Sequence, residues 1–159
     1  MAEPLVLLPG LMCDARLFGP QIAALSSELS ITIGCLTSDE TIEAMAERVL
    51  VGAPGRFALA GLSMGGIVAM ESLRRAPDRV SRVALMDTNP LAETPQVAAN
   101  REPQIIKVKS GKLTEVMRDE LKPNYLAPGP RRPAVLQTVM DMAHTLGPEV
   151  FLNQSRALQ

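Results

Sequence analysis

Residues 57–75 read FALAGLSMGGIVAMESLRR: a short apolar run, a glycine-flanked serine, then an apolar-striped segment. Phe57 to Ala60 is continuous apolar sequence, the pattern of a strand buried on both faces. From about Met64 to Arg75 the apolar positions recur at helical spacing, and Pro77 stops the pattern. Between the two lies Gly61-Leu62-Ser63-Met64-Gly65. A sharp strand-to-helix turn forces its central residue into a strained backbone conformation. Only small residues two before and two after it avoid collision. Ser63 is thereby presented at the carboxyl end of a strand. The helix starting there points free backbone N–H groups and a positive dipole end at any negative charge that develops. The competing reading is a glycine-rich turn of an ordinary doubly wound fold. The strand before and the helix after the turn favour a nucleophilic serine. Neither Gly-x-Gly-x-x-Gly spacing nor a Walker A loop occurs.

Working outward, Leu5 to Leu8 is another buried-strand run, closed by Pro9-Gly10. Leu17, Phe18, Ile22, Leu25 and Leu29 recur at helical spacing, and Ile31 to Leu36 reads as a second strand. Thr37-Ser38-Asp39 supplies oxygens to cap a helix carrying Ile42, Ala46, Val49 and Leu50. Gly52-Ala53-Pro54-Gly55 breaks that helix, and Val80 to Met86 is the fourth strand. Three successive βα units require right-handed crossovers and therefore parallel strands. The fold class is α/β: a partial doubly wound parallel sheet of about four strands, in three α/β/α layers, over residues 1–90. After Asp87-Thr88-Asn89-Pro90 the composition shifts, with seven of the 13 prolines between Thr94 and Glu149. Helices are predicted at about 96–109, 112–121, 133–146 and 148–158, forming a helical cap over residues 91–159.

The formal net charge is −1, from 16 Lys+Arg against 17 Asp+Glu, which argues against nucleic acid or an anionic membrane as partner. Three Phe, one Tyr and no Trp provide few stacking surfaces. No apolar run approaches the roughly 20 residues that span a bilayer. Met1-Ala2-Glu3-Pro4 has no basic n-region, so the N-terminus reads as the approach to a strand and not as a signal peptide. Cys13 and Cys35 lack metal-ligand spacing. A cytoplasmic protein without metal or organic cofactor is expected.

Two stretches, LVLLPGLMCDARLF (5–18) and ALAGLSMGGIVAMESLRRAPDRVSRVALMDTNP (58–90), resemble the α/β-hydrolase family. They match its first core strand with the following oxyanion loop, and its nucleophile elbow, helix and next strand. Pro9 stands where His is commoner. The resemblance covers 4–90 closely and 91–159 more loosely, as a cap. It implies Ser63 as nucleophile and an oxyanion hole built from the backbone N–H of Met64 and of Leu11, with Met12 as the alternative to Leu11. It implies a serine hydrolase cleaving an ester or thioester-type acyl bond. Two other readings stay open: a non-catalytic binding protein on the same fold, and cofactor-free C–C hydrolysis or perhydrolysis.

The family's chain order is nucleophile, acid, histidine, with the last two beyond the cap. The chain ends at Gln159 in cap-like sequence, so by comparison the C-terminal third is missing. His144, the single histidine, falls among Val135, Leu136, Val139, Met140, Ala143 and Leu146, on the side of Gln137 and Asp141. It reads as a solvent-facing helical residue beside Asp141 and a poor base. Asp87 is a candidate acid, although Asp-x-Asn-Pro is also an ordinary turn in which it caps with Thr88 and Asn89. Cys13 is expected near Ser63 as a packing residue, with no cation evident to lower its pKa. The strand Val80 to Met86 is interior in the family and would otherwise expose an edge. Hence the expectation of an incomplete enzyme, a complementing C-terminal segment, or a strand-swapped homodimer. The substrate is expected to be a small apolar acyl compound, in a pocket lined by Val97, Ile105, Ile106, Val116, Met117, Leu121, Val139, Met140 and Met142. Nine methionines suit an adaptable apolar wall.

Overall fold

A computed structural model describes residues 3–159. Four strands, β1 (Leu5–Leu8), β2 (Ile31–Ile33), β3 (Phe57–Leu62) and β4 (Val80–Met86), form one parallel sheet in the order β2-β1-β3-β4. The chain leaves β1 for β2 on one side, then crosses to β3 on the other. The switch point of the sheet thus lies between β1 and β3, the place where open α/β sheets hold their sites.

Alternation along the strands divides the apolar side chains between two faces. Val6, Leu8, Phe57 and Leu59 pack against Met45, Ala46 and Val49 of α2 (Ile42–Gly52) and Val68 and Ala69 of α3 (Met64–Arg75). Leu7 and Ala60 face the opposite way, onto Phe18 and Ile22 at a 3₁₀ turn (Ala15–Phe18) and α1 (Gly19–Leu25). This is the three-layer α/β/α arrangement expected. β4 is an edge strand, with Val83 and Leu85 exposed.

Three local expectations are corrected. The second strand ends at Ile33 and not Leu36: its pairing with β1 stops at Leu7–Ile33, and Gly34 packs close against Leu8. The first helix is divided between the 3₁₀ turn and α1, with Pro20 at the start of α1. The cap of α2 is Thr41, whose side chain accepts from Ala44 N–H. Asp39 is instead paired with Arg48 at 2.6 Å.

Residues after Asp87 form only helices and turns. The expected 96–109 helix is two, α4 (Pro95–Ala99) and α5 (Glu102–Lys109). The expected 112–121 helix is α6 (Leu113–Glu115) running into a π-helical turn (Val116–Leu121), and a 3₁₀ turn (Lys122–Tyr125) follows. The last two predicted helices join as α7 (Arg132–Ala157), broken at Gly147, where φ is 81°. A second core forms here from Ile105, Val108, Val116, Met117, Met140 and Phe151, and it closes around Met12. The last turn of α7 returns Ala157 and Leu158 to the core beneath the sheet.

Candidate active site

Ser63 sits between β3 and α3 with φ 54° and ψ −118°, one of three non-glycine residues at positive φ among the described residues; the others are Met12 and Asp87. The glycines two before and two after it show why the turn closes. A Cβ on Gly61 would lie 2.2 Å from Gly65 O, and one on Gly65 would lie 2.1 Å from Leu8 O. The elbow is therefore pressed directly onto the end of β1, and any side chain at either glycine separates the two. Ser63 N–H donates to Met86 O at 2.9 Å, and Thr88 Oγ1 donates to Ser63 O at 2.8 Å. Both bonds fix the serine backbone from the β4 side. Met64, buried, supplies the first amide of α3, which has no carbonyl one turn below it within the helix.

The loop Pro9–Asp14 leaves β1 beside this turn. Gly10 O accepts from Cys13 N–H at 3.1 Å, so Leu11 and Met12 are the central residues of a β-turn. Positive φ at the second central position is the type II signature. Met12 N–H donates to Gln154 Oε1 at 2.8 Å, and Gln154 Nε2 donates to Leu36 O at 2.8 Å. The Met12 amide is thus already engaged, which corrects its standing as an alternative to Leu11. Lys122, only 7% exposed, places Nζ 2.8 Å from Leu11 O and 3.9 Å from Cys13 Sγ. Burial pushes the Lys122 ammonium pKa down. Burial likewise pushes the Cys13 thiol up, against the opposing pull of Lys122. The expectation that no cation lies near Cys13 is therefore wrong, yet desolvation still dominates.

A cavity of about 240 Å³ opens between the elbow, the loop and the helical part; Leu11, Cys13, Ser63, Lys122 and Val139 are among its lining. A second, of about 310 Å³, lies on the other side of Ser63 and is lined by Met64, Thr88 and Glu93. Asp87 and Arg101 border both cavities. Arg101 is ion-paired with Glu93. Asp87 is exposed, and the cap of its turn is Asn89, whose Oδ1 accepts from Leu91 N–H at 2.9 Å.

Of the nine residues expected to line the pocket, only Val139 borders the Ser63 cavity. Ile105, Val116, Met117, Leu121 and Met140 are core around Met12, Met142 packs with Cys13, and Val97 and Ile106 are exposed. Helical spacing identified buried positions without telling core from pocket. His144 is exposed on α7 and shares a hydrogen bond with Thr114 Oγ1 at 3.1 Å, borders neither cavity, and leaves Asp141 to Gln137. Sequence reading missed Lys122 and Gln154. Gln154 had a faint signal, a polar residue three after Phe151 on the buried stripe; Lys122 had none. Among the described residues, no group of three or more His, Cys, Asp or Glu is placed to hold a metal ion.

The strand order, the strained serine at the switch point and the facing loop define the α/β-hydrolase fold. The chain is similar in structure to a thermophilic esterase from Thermogutta terrifontis, with TM-score 0.81 and 22% identity over 99% of this chain and 64% of that one. It is similar to the enol-lactonase from Burkholderia xenovorans LB400, with TM-score 0.78 and 24% identity, covering 99% and 65%. A 2-hydroxy-6-oxo-6-phenylhexa-2,4-dienoate hydrolase from Rhodococcus sp. strain RHA1 matches at TM-score 0.55 and 19% identity, over 98% and 65%. The chain therefore spans a little under two thirds of the length of these structures. No family model matches the sequence. No helix among the described residues is long and apolar enough to cross a membrane.

Proposed function

We propose that this chain is the nucleophile-bearing part of a serine hydrolase that cleaves an ester or thioester-type acyl bond. The observation that carries the reading is Ser63 at φ 54°, with its flanking glycines in backbone contact and its side chain beside a cavity. Strained backbone of this kind concentrates at functional sites, which supports the reading. The esterase, lactonase and hydrolase described by the similar structures support the same chemistry.

In the proposed reaction Ser63 Oγ attacks the acyl carbonyl carbon while its proton passes to an imidazole. The carbonyl oxygen becomes an oxyanion received by the Met64 and Leu11 amides. Each such donor contributes roughly 3–4 kcal/mol to the transition state. Collapse expels the alcohol or thiol, which takes the proton, and water then releases the acid from the acylated serine. His144, exposed on α7 and bordering neither cavity, is not the base in this reading. The imidazole and its acid partner are proposed to come from sequence beyond residue 159 or from a second chain. Asp87 borders the site and is the acid candidate within the chain. Residues 91–159 act as the cap in this reading. The apolar wall of Leu11, Leu17, Leu62 and Val139 suits a small apolar acyl group. The free thiols of Cys13 and Cys35 fit a cytoplasmic setting.

The test is hydrolysis of p-nitrophenyl acetate and butyrate by the 159-residue chain, by a longer form extended past Gln159, and by Ser63→Ala of each. Turnover by the longer form alone, abolished in Ser63→Ala, is expected. Turnover that survives Ser63→Ala overturns the proposal.

A further inference from the structure

The Leu11–Met12 peptide unit is held at both ends by buried side chains from the helical part. Its carbonyl accepts from Lys122 Nζ at 2.8 Å, and its N–H donates to Gln154 Oε1 at 2.8 Å. These two residues belong to different elements, the 3₁₀ turn at Lys122–Tyr125 and the C-terminal half of α7. Gln154 is 1% exposed and its amide nitrogen is used on Leu36 O, so both its polar ends are committed.

The peptide they grip is the one whose orientation separates the two common β-turns. Types I and II differ by a flip of the central peptide, and the type II form requires positive φ at the second central residue. Glycine ordinarily occupies that place, whereas here it is methionine at φ 55°. An ungripped Leu-Met turn would favour the flipped form, since a side chain at positive φ is strained. Two further ties from the same part reinforce the grip: Asp14 N–H points at Met142 Sδ, 3.3 Å away, and Arg16 donates to Thr145 Oγ1 at 3.0 Å.

Resting on the Ser63 reading above, we propose that Lys122 and Gln154 are positioning residues that clamp the Leu11–Met12 peptide and so tether the turn whose Leu11 amide serves the oxyanion hole. Leu11 is the first central residue of the turn, and its amide, in the peptide before the clamped one, keeps its place only while the turn is tied to the helical part. Seating of the helical part and assembly of the oxyanion hole become one event.

The experiment compares Gln154→Leu, Gln154→Glu, Lys122→Met and the Gln154→Leu/Lys122→Met pair in the form of the protein that turns over p-nitrophenyl butyrate. Rates are read where circular dichroism shows every variant folded, alongside hydrogen exchange at the Met12 amide. Gln154→Leu and Lys122→Met should each lower kcat roughly tenfold to hundredfold with KM within about twofold, as loss of aim at the oxyanion requires. The pair should lose little more than either alone, because one free end already releases the peptide. Gln154→Glu, which keeps the acceptor for Met12 but gives up the donor to Leu36 O, should retain more kcat than Gln154→Leu. Met12 exchange should accelerate in Gln154→Leu and not in Gln154→Glu. Unchanged kcat in both single variants, or equal losses in Gln154→Leu and Gln154→Glu, overturns the clamp. If Gln154→Leu does not fold, Lys122→Met and Gln154→Glu carry the same comparison. Activity surviving Ser63→Ala would overturn the nucleophile reading instead, and the Met12 exchange result would still judge the grip.

Discussion

Replacing Gly65 with alanine should separate the elbow from β1. The added Cβ would stand 2.1 Å from Leu8 O, 2.6 Å from Leu8 C and 2.7 Å from Pro9 O, all backbone atoms of β1 and of the loop that follows it. Real Cβ atoms essentially never approach closer than 3.0 Å, so relief requires roughly 0.9 Å of movement. No side chain can rotate away to provide it. Overpacking of this kind costs about 1–3 kcal/mol, and a backbone clash beside buried Leu8 belongs at the upper end. For a chain of this size each kcal/mol lowers Tm by about 2–4 °C, giving a loss of about 6–12 °C. A shift near 1 Å between Ser63 and the Leu11 amide would also lower kcat by about a hundredfold. The assay is thermal unfolding followed by circular dichroism, with ester hydrolysis measured in parallel. Gly52→Ala is the control: it lies at the end of α2 with no atom within 4 Å of the added Cβ, and stability should hold or rise by about 0.5–1 kcal/mol. A Gly65→Ala protein with parental Tm and rate would refute the claim that the glycine is there for close approach.

Gly147→Ala should lower Tm by about 2–12 °C, through backbone strain of about 1–3 kcal/mol alone, because φ 81° and ψ 176° form a glycine region and no atom lies within 4 Å of the new methyl; equal melting curves would contradict it. Glu71 is held at about 2 by hydrogen bonds from Arg74 and Arg75. A depressed carboxylate adds stability above its unfolded pKa and loses it as pH falls through the folded one, so Glu71→Gln should melt slightly lower at pH 7 and equally near pH 2. A Tm difference that persists or grows in acid would count against that pairing. Cys35 is exposed, with its thiol pulled down by hydrogen bonds to Thr37, while burial pushes the Cys13 thiol up. A disulfide reagent should therefore titrate one thiol rapidly in the folded protein, lost in Cys35→Ser, and the second only on unfolding; prompt labelling of Cys13 would show that the cavity is open to bulky reagents.

The α/β core was legible because its signals are local. Continuous apolar runs at Leu5–Leu8 and Phe57–Ala60, helical spacing after Met64, and glycines two residues either side of Ser63 each report on their own neighbourhood. The end of β2 was misjudged because the strand lasts only while it pairs with β1, whose Leu7 lies 26 residues before Ile33. Thr37-Ser38-Asp39 and Thr41 offer similar capping oxygens, and the choice fell to Asp39 pairing with Arg48. The pocket was not legible: apolar stripes on α5 and α7 look alike whether they face Met12 or an empty cavity. Lys122 and Gln154 were invisible for a related reason. A lysine and a glutamine carry no pattern of their own, and their roles arise from backbone groups 111 and 142 residues away.

The most direct test of Ser63 as nucleophile is to trap the acyl intermediate. The longer form is mixed with p-nitrophenyl butyrate, quenched in acid within a turnover, digested and mapped by mass spectrometry. The expected result is a butyryl group on the peptide containing Ser63, at Ser63, absent in Ser63→Ala and appearing with the burst of p-nitrophenol. Turnover with an unmodified Ser63, or with the butyryl group on Cys13, would contradict the account.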